Sequence, residues 1–401
     1  MITASHRWVP APARRRPAAA IGAVSARPIV HRWQQQIAAA FGEMVEPPDR
    51  VVAACLARAE ADRVRHFEVI GALRQGLLNG ATTTLDAART LTEEADRYVQ
   101  AMLQIALDET THKRGAPSGR FAVLGVGKLG GCELSLSSDL DVIFVYEALE
   151  GGYDVAAADY FNRVSQRLIA LLSWAPAWRG SYDIDVRLRP HGEDGPLATP
   201  LSGMLDYLDR ECWTWEFQAL TRLRPVAGDT DLAGKVQAAA LTAARSRSTQ
   251  DVLAQVAYMR ALMEQERPAC DGWDVKLAPG GLVDVEFIAQ ALQLRHAADP
   301  NCVVIANTGA ALAALQTRGW LGRRDAAVLR GTWALLSAVR QMQSALGERD
   351  LSKASVDHKT VLSQALGAPV GVVRSRLTGA RARVRGLFEA LVGPVRLSDA
   401  A

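Results

Sequence analysis

Apolar residues recur at three- and four-residue intervals through most of this chain, and in two short stretches the period changes. Val64, Phe67, Ile70, Leu73 and Leu77 form one helical stripe; Asp49, after Pro47 and Pro48, is a candidate N-cap, and Asn79 and Gly80 stop the pattern. A second helix is predicted from Thr92 to about Asp108, opened by "TEEAD" and striped by Tyr98, Met102 and Ile105. Gly115, Pro117 and Gly119 in "HKRGAPSG" mark a loop. The texture then changes: "RFAVLGVG" and "DLDVIFVYE" read as short buried strands. "LDRECWTWEFQALTRLRP" reads as one helix, and from Leu241 the pattern is nearly all helical. Pro279, Gly280 and Gly281 open a helix there with Asp284 in its first turn and Phe287, Ile288, Ala291 and Leu294 as its stripe. The expected fold class is α+β, mostly helical, ending in a helical bundle.

Composition narrows the function classes. The chain has 401 residues, 49% hydrophobic and 22% charged, ordinary for full-sized cores. A formal charge of +3 gives no basic field to favour nucleic acid as partner. The longest charge-free run, Pro300 to Thr317, is interrupted by Asn301, Asn307, Thr308 and Gly309 and is too polar for a membrane span. Cys55, Cys132, Cys212, Cys270 and Cys302 show no zinc or CxxC spacing, as expected for reduced thiols in a cytoplasm. Residues 1–30 are basic and rich in Ala and Pro, with no acid before Glu43, and are expected to be a disordered tail.

The candidate chemistry lies in "GVGKLGGCELSLSSDLDVIFVYE". Gly125, Gly127, Gly130 and Gly131 surround Lys128 in a turn after a strand, where backbone N–H groups can approach phosphate and a lysine adds charge. The spacing is not that of a Walker loop. Asp139 and Asp141 alternate with Leu140, so both carboxylates share a strand face about 7 Å apart, while Leu140, Val142 and Phe144 face a core. Alone, such a pair also suits a solvated strand end. In "GSYDIDVRLRPHGEDGP", Asp183, Asp185, Arg187 and Arg189 alternate with Ile184, Val186 and Leu188, which predicts a strand with acids and arginines on one face. Acids beside guanidinium groups suit magnesium next to a polyphosphate.

Together, the glycine turn, the DxD strand and the later Asp resemble the polymerase-beta-type nucleotidyltransferase fold, a small mixed sheet. "GKLGGCELSLSSDLDVIF", "DIDVRLRPHGEDGPL", "WTWEFQALTRLRPVAGD" and "KLAPGGLVDVEFIAQALQL" more closely resemble, in order, segments of the glutamine synthetase adenylyltransferase/adenylyl-removing family. The resemblance implies transfer of AMP from ATP to a tyrosine of glutamine synthetase, lowering its activity, under control of a PII-type signal protein. It makes Asp139, Asp141 and Asp185 the catalytic carboxylates, holding two magnesium ions. Gly127, Lys128, Gly130, Gly131, Ser138, Arg187 and Arg189 are then the expected nucleotide-binding residues. The expected domains are 31–242, the nucleotidyltransferase with its N-terminal helices, and 243–401, a helical bundle.

The motif set occurs once, whereas the usual member of the family carries two homologous halves. "WTWEFQALTR" and "GGLVDVEFIAQ" look more like the attaching half than the removing half. Removal of AMP by phosphorolysis and a non-catalytic regulatory half are the alternatives. Trp213 and Trp215 are expected to pack rather than stack on a base. Arg222 and Arg224 suit either phosphate contact or a solvated helix face. Lys276, Asp284 and Glu286 suit either capping and ion pairs or contact with nucleotide.

Overall fold

Asp49 caps the first helix, α1 (Arg50–Leu78), its Oδ1 accepting the Val51 N–H at 2.9 Å. The computed structural model describes residues 49–115, 119–149, 155–173, 182–246, 249–351 and 353–397; the tail 1–30 lies outside them. Leu73 and Leu77 of the expected stripe are buried, but Phe67 and Ile70 are only half-buried, because Arg63 and His66 turn inward beside them. The second helix, α2 (Thr84–Arg114), exceeds the expected Thr92–Asp108. Thr83 caps it by accepting from Asp86 N–H, His112, Lys113 and Arg114 complement its carboxyl end, and Gly115 stops it at φ 73°.

Next come β1 (Gly119–Gly125), the single-turn α3 (Gly127–Gly130), β2 (Leu140–Ala148), α4 (Val155–Ser173), β3 (Ile184–Asp185) and β4 (Ala198–Pro200). They are followed by α5 (Leu201–Arg210), α6 (Thr214–Leu220), β5 (Arg224–Gly228) and α7 (Thr230–Ser246). The rest is helical: α8 (Thr249–Glu266), α9 (Leu282–Arg295), α10 (Thr308–Thr317), α11 (Arg323–Leu346), α12 (Val356–Ala365) and α13 (Val370–Leu391). The sheet order is β3-β2-β1-β5, with β4 also on β2. β1 pairs antiparallel with β2 and β5, while β3 and β4 pair parallel with β2, so the small sheet is mixed.

Strand alternation explains why β2 is apolar throughout. Leu140, Val142, Phe144 and Tyr146 join the core with α1, α2 and α4. Ile143 and Val145 face the opposite way, into a core shared with α5 to α7 and the later helices. A sheet covered on both faces has no polar face to show in its sequence.

Two sequence expectations are corrected here. The single helix expected across "LDRECWTWEFQALTRLRP" is two, α5 and α6, because the Glu216 carboxylate takes the Trp213 N–H at 2.8 Å and the Tyr207 hydroxyl at 2.6 Å, capping a new helix. The strand expected to carry Asp183 through Arg189 stops at Asp185. Asp185 Oδ1 accepts the N–H of Arg187 at 2.9 Å, and Arg189 N–H turns back to the Val186 carbonyl at 3.3 Å. The aspartate side chain thus offers the backbone an alternative to the sheet ladder.

Candidate active site

In the parallel register of β2 and β3, Leu140 pairs with Ile184 and Asp141 with Asp185. Asp139 precedes β2, short of the strand expected to hold it, and acts on the Asp141 charge; paired residues of neighbouring strands project from the same face, so Asp141 and Asp185 share one. This is the face of Ile143 and Val145, turned toward the later helices. Asp139 is exposed, and Asp141 and Asp185 are half-buried.

The electrostatics follow from that crowding. Burial, and then the charge of Asp185, push the Asp141 carboxyl up to about 7; Asp139 adds to this, while Lys276 and Lys128 oppose it. Burial also works against the Asp185 charge, but hydrogen bonds from the Arg187 guanidinium and N–H hold this carboxyl below its ordinary range. Arg187 Nε lies 3.0 and 3.1 Å from the two Asp185 oxygens, a bidentate pairing that Nη2 also joins. Among the described residues no three His, Cys, Asp or Glu side chains are already gathered as a metal cage. The donor set nonetheless fits magnesium: hard oxygens whose mutual repulsion raises the central acid, with one oxygen pair already facing a cation.

The glycine turn backs directly onto these acids. A β-carbon on Gly127, at φ 54°, would overlap Asp141 Oδ2, and one on Gly130 would overlap the Arg222 carbonyl. Gly131 is tight against the Ala306 carbonyl, 3.3 Å from such an atom. Glycine at positions 127 and 130 is therefore required by packing, independently of any ligand. Ser138 orders the approach to Asp139: its Oγ accepts the Ser135 N–H at 2.9 Å.

Arg222 is buried rather than on a solvated face. It donates to the Gly127 carbonyl at 3.2 Å, to Glu133 at 3.1 Å and to Thr308 Oγ1, and Glu286 lies 3.8 Å away. Glu133 Oε1 also accepts the Thr308 N–H at 2.6 Å, which ties the turn to the start of α10. Arg224 forms a bidentate pair with Asp96 at 2.7 and 2.8 Å. Arg189 is 6% exposed and donates to the carbonyls of Val186, Gly195 and Glu193, closing the loop behind Arg187 instead of facing the acids. Trp213 is 68% exposed, so the packing expected for it does not occur.

Asp284 in α9 is fully buried. It accepts the Gly280 N–H at 2.8 Å, Arg260 at 2.5 Å and Arg385 at 3.0 Å, which resolves its alternatives toward capping and ion pairing. Lys276, by contrast, is exposed and acts electrostatically on Asp141 and Lys128. Lys128, pushed down to about 7 by burial and then by Lys276 and Arg340, completes the set. Arg340, next to the buried Gln341 in α11, is the residue that the sequence does not mark.

Comparisons with known proteins show the family. The glutamate-ammonia ligase adenylyltransferase family matches residues 2–239, and the PII-uridylyltransferase family matches residues 250–392. Similar relatives are named bifunctional glutamine synthetase adenylyltransferase/adenylyl-removing enzyme. That of Rhizobium meliloti is 46% identical over 227 residues, 54% of this chain and 23% of the relative. That of Caulobacter vibrioides is 36% identical over 327 residues, 79% of this chain and 33% of the relative. For Rhodopseudomonas palustris the figures are 34% over 379 residues, 88% and 38%. The matched part of the chain thus spans between 23% and 38% of the length of these relatives.

Proposed function

The chain belongs to the glutamate-ammonia ligase adenylyltransferase family, and from that premise we propose that its acidic cleft transfers AMP from ATP to a tyrosine of glutamine synthetase, lowering that enzyme's activity in nitrogen regulation. The observation that carries the reading is the register of Asp141 against Asp185, beside Asp139 and over the glycine turn.

Asp139, Asp141 and Asp185 would hold two magnesium ions, which supply a lowered pKa for the attacking hydroxyl and neutralise charge at the α-phosphate and departing pyrophosphate. The tyrosine oxygen forms its bond to the α-phosphorus as the bond to pyrophosphate breaks. Asp185, kept ionised by Arg187, accepts the phenolic proton. Gly127, Gly130 and Gly131 let the turn lie against the acids, Lys128 adds positive charge there, and Ser138 fixes the loop into Asp139. Arg187 holds Asp185 in place, with Arg189 bracing its loop.

The junction between the two family matches, between residues 239 and 250, supports a nucleotidyltransferase region 31–242 followed by a helical region 243–401. Likeness of the second part to PII-uridylyltransferases supports a PII-type signal protein as regulator. No helix among the described residues is long and apolar enough to cross a membrane. Among the described residues the five cysteines form no disulfide, which supports a reducing, cytoplasmic setting.

Labelled ATP, magnesium and purified glutamine synthetase test the proposal, with and without orthophosphate. Attachment gives labelled protein and pyrophosphate. ADP formed from adenylylated protein and orthophosphate, without forward transfer, reverses the direction. No reaction either way defeats the enzyme reading.

A further inference from the structure

The C-terminal half of α11 is hydrogen-bonded to both loops that lead into the cleft. Gln341 Nε2 donates to the Leu134 carbonyl at 2.7 Å, and the hydroxyls of Ser344 and Ser137 lie 2.7 Å apart. These two contacts hold the segment that delivers Asp139. Gln343 Nε2 donates to the Trp273 carbonyl at 2.9 Å, holding the segment that delivers Lys276. There Asp274 Oδ1 accepts the N–H groups of Lys276 and Leu277 at 3.1 and 2.9 Å.

Arg340 precedes Gln341 on this helix. Its Nε is buried without a hydrogen-bond acceptor, and among the described residues its guanidinium makes no ion pair. A desolvated guanidinium with an orphaned donor is costly, and in native proteins such a group calls for a partner. Lys128 likewise makes no ion pair among the described residues. Lys128, Lys276 and Arg340, from three separate segments, lie close enough to act on one another or on the cleft acids, with Glu133, Glu286 and Asp274 also facing them, and the two arginines expected at this place are committed elsewhere: Arg187 to Asp185, Arg189 to carbonyls.

We infer that Arg340, Lys276 and Lys128 together seat the triphosphate tail of the bound nucleotide and the pyrophosphate it becomes. The inference rests on reading the cleft as a nucleotidyltransferase site, but not on which protein accepts the AMP. The crowding itself supports it. Burial and the charges of Lys276 and Arg340 depress Lys128 to about 7, and burial lowers Arg340 below its ordinary value. A polyanion lying among these groups offsets both penalties, and a planar guanidinium matches phosphate oxygens bidentately.

The test is calorimetric binding of ATP, pyrophosphate and AMP, each with magnesium, to the full chain and to Arg340→Ala, Arg340→Lys and Lys276→Ala. Arg340→Ala is expected to weaken ATP and pyrophosphate by about tenfold or more while AMP stays within about twofold, and Arg340→Lys to recover part of the loss. Lys276→Ala is expected to show the same selectivity. Unchanged ATP affinity in Arg340→Ala overturns the inference, as does an equal loss for AMP and ATP. If the variants show this selectivity yet the wild-type chain labels no glutamine synthetase, the acceptor reading falls and this inference stands. A wild-type chain that binds neither ATP nor pyrophosphate overturns both.

Discussion

Gly127 lies so close against Asp141 that a β-carbon on the glycine would occupy the space of the carboxylate oxygen Oδ2. The glycine also sits at φ 54°, where any other residue is strained by about 1–2 kcal/mol. Gly127→Ala is therefore expected to cost modest stability but displace the acid, reducing AMP transfer roughly 100-fold. Paired melting and transfer assays check this. Near-normal transfer by a folded alanine variant would show that the acid's position does not matter.

Asp141 should give activity and stability effects of opposite sign. Its folded value of about 7 lies above the ordinary 3.8, so in metal-free protein the folded state loses stability as pH rises across that window. The full penalty persists above about 7. Asp141→Asn is expected to melt higher than wild type at pH 8 without metal, while losing nearly all transfer. Asp139→Asn is expected to lose transfer as well. Retention of activity within a few-fold in either variant would remove the metal-ligand assignment.

Glu94 sets an acid limit. Burial disfavours its charge, but hydrogen bonds from Arg97 and His66 bring the carboxyl down to about 2, below the ordinary 4.5. Its stabilisation is fully present above pH 4.5 and is lost as pH falls toward 2. Glu94→Gln is expected to lose on the order of 3 kcal/mol at pH 7, with the gap to wild type closing near pH 2. Denaturant titrations across that range measure it. A gap independent of pH would show that packing, not charge, is responsible.

Asp284→Ala should be among the most damaging changes far from the acids. It would leave Arg260 and Arg385 sharing only Glu264 in place of two carboxylates, and Arg260 is fully buried. Removing one member of such a pair typically costs about 3–5 kcal/mol. Equilibrium unfolding tests this, and a loss below about 1 kcal/mol would place the pair among those that contribute little.

The face of Asp141 was legible because strand alternation is local, but its pairing with Asp185 comes from the parallel register of β2 and β3, which spacing along the chain does not give. Asp49 as a cap and the stop at Asn79 after α1 were legible because those signals are local. What failed was competition between side chain and backbone. The Asp185 carboxylate ends its own strand, and Glu216 restarts a helix; neither choice shows in hydrophobic periodicity. Arg222 and Arg340 were illegible because their surroundings come from segments more than sixty residues away. An arginine in a helical pattern reads as solvent-facing until those segments are in place.

The sheet has one consequence for anyone wishing to dissect the molecule. Leu124, Ile143 and Val145 lie in a core that also takes in Ile288, Leu312 and Leu336, from well beyond the first 242 residues. A fragment cut near that point would present a bare, greasy sheet face to water and would be prone to clump. The acids cannot be lifted out as a self-standing cassette, and grafting them onto another scaffold means carrying the distant helices along.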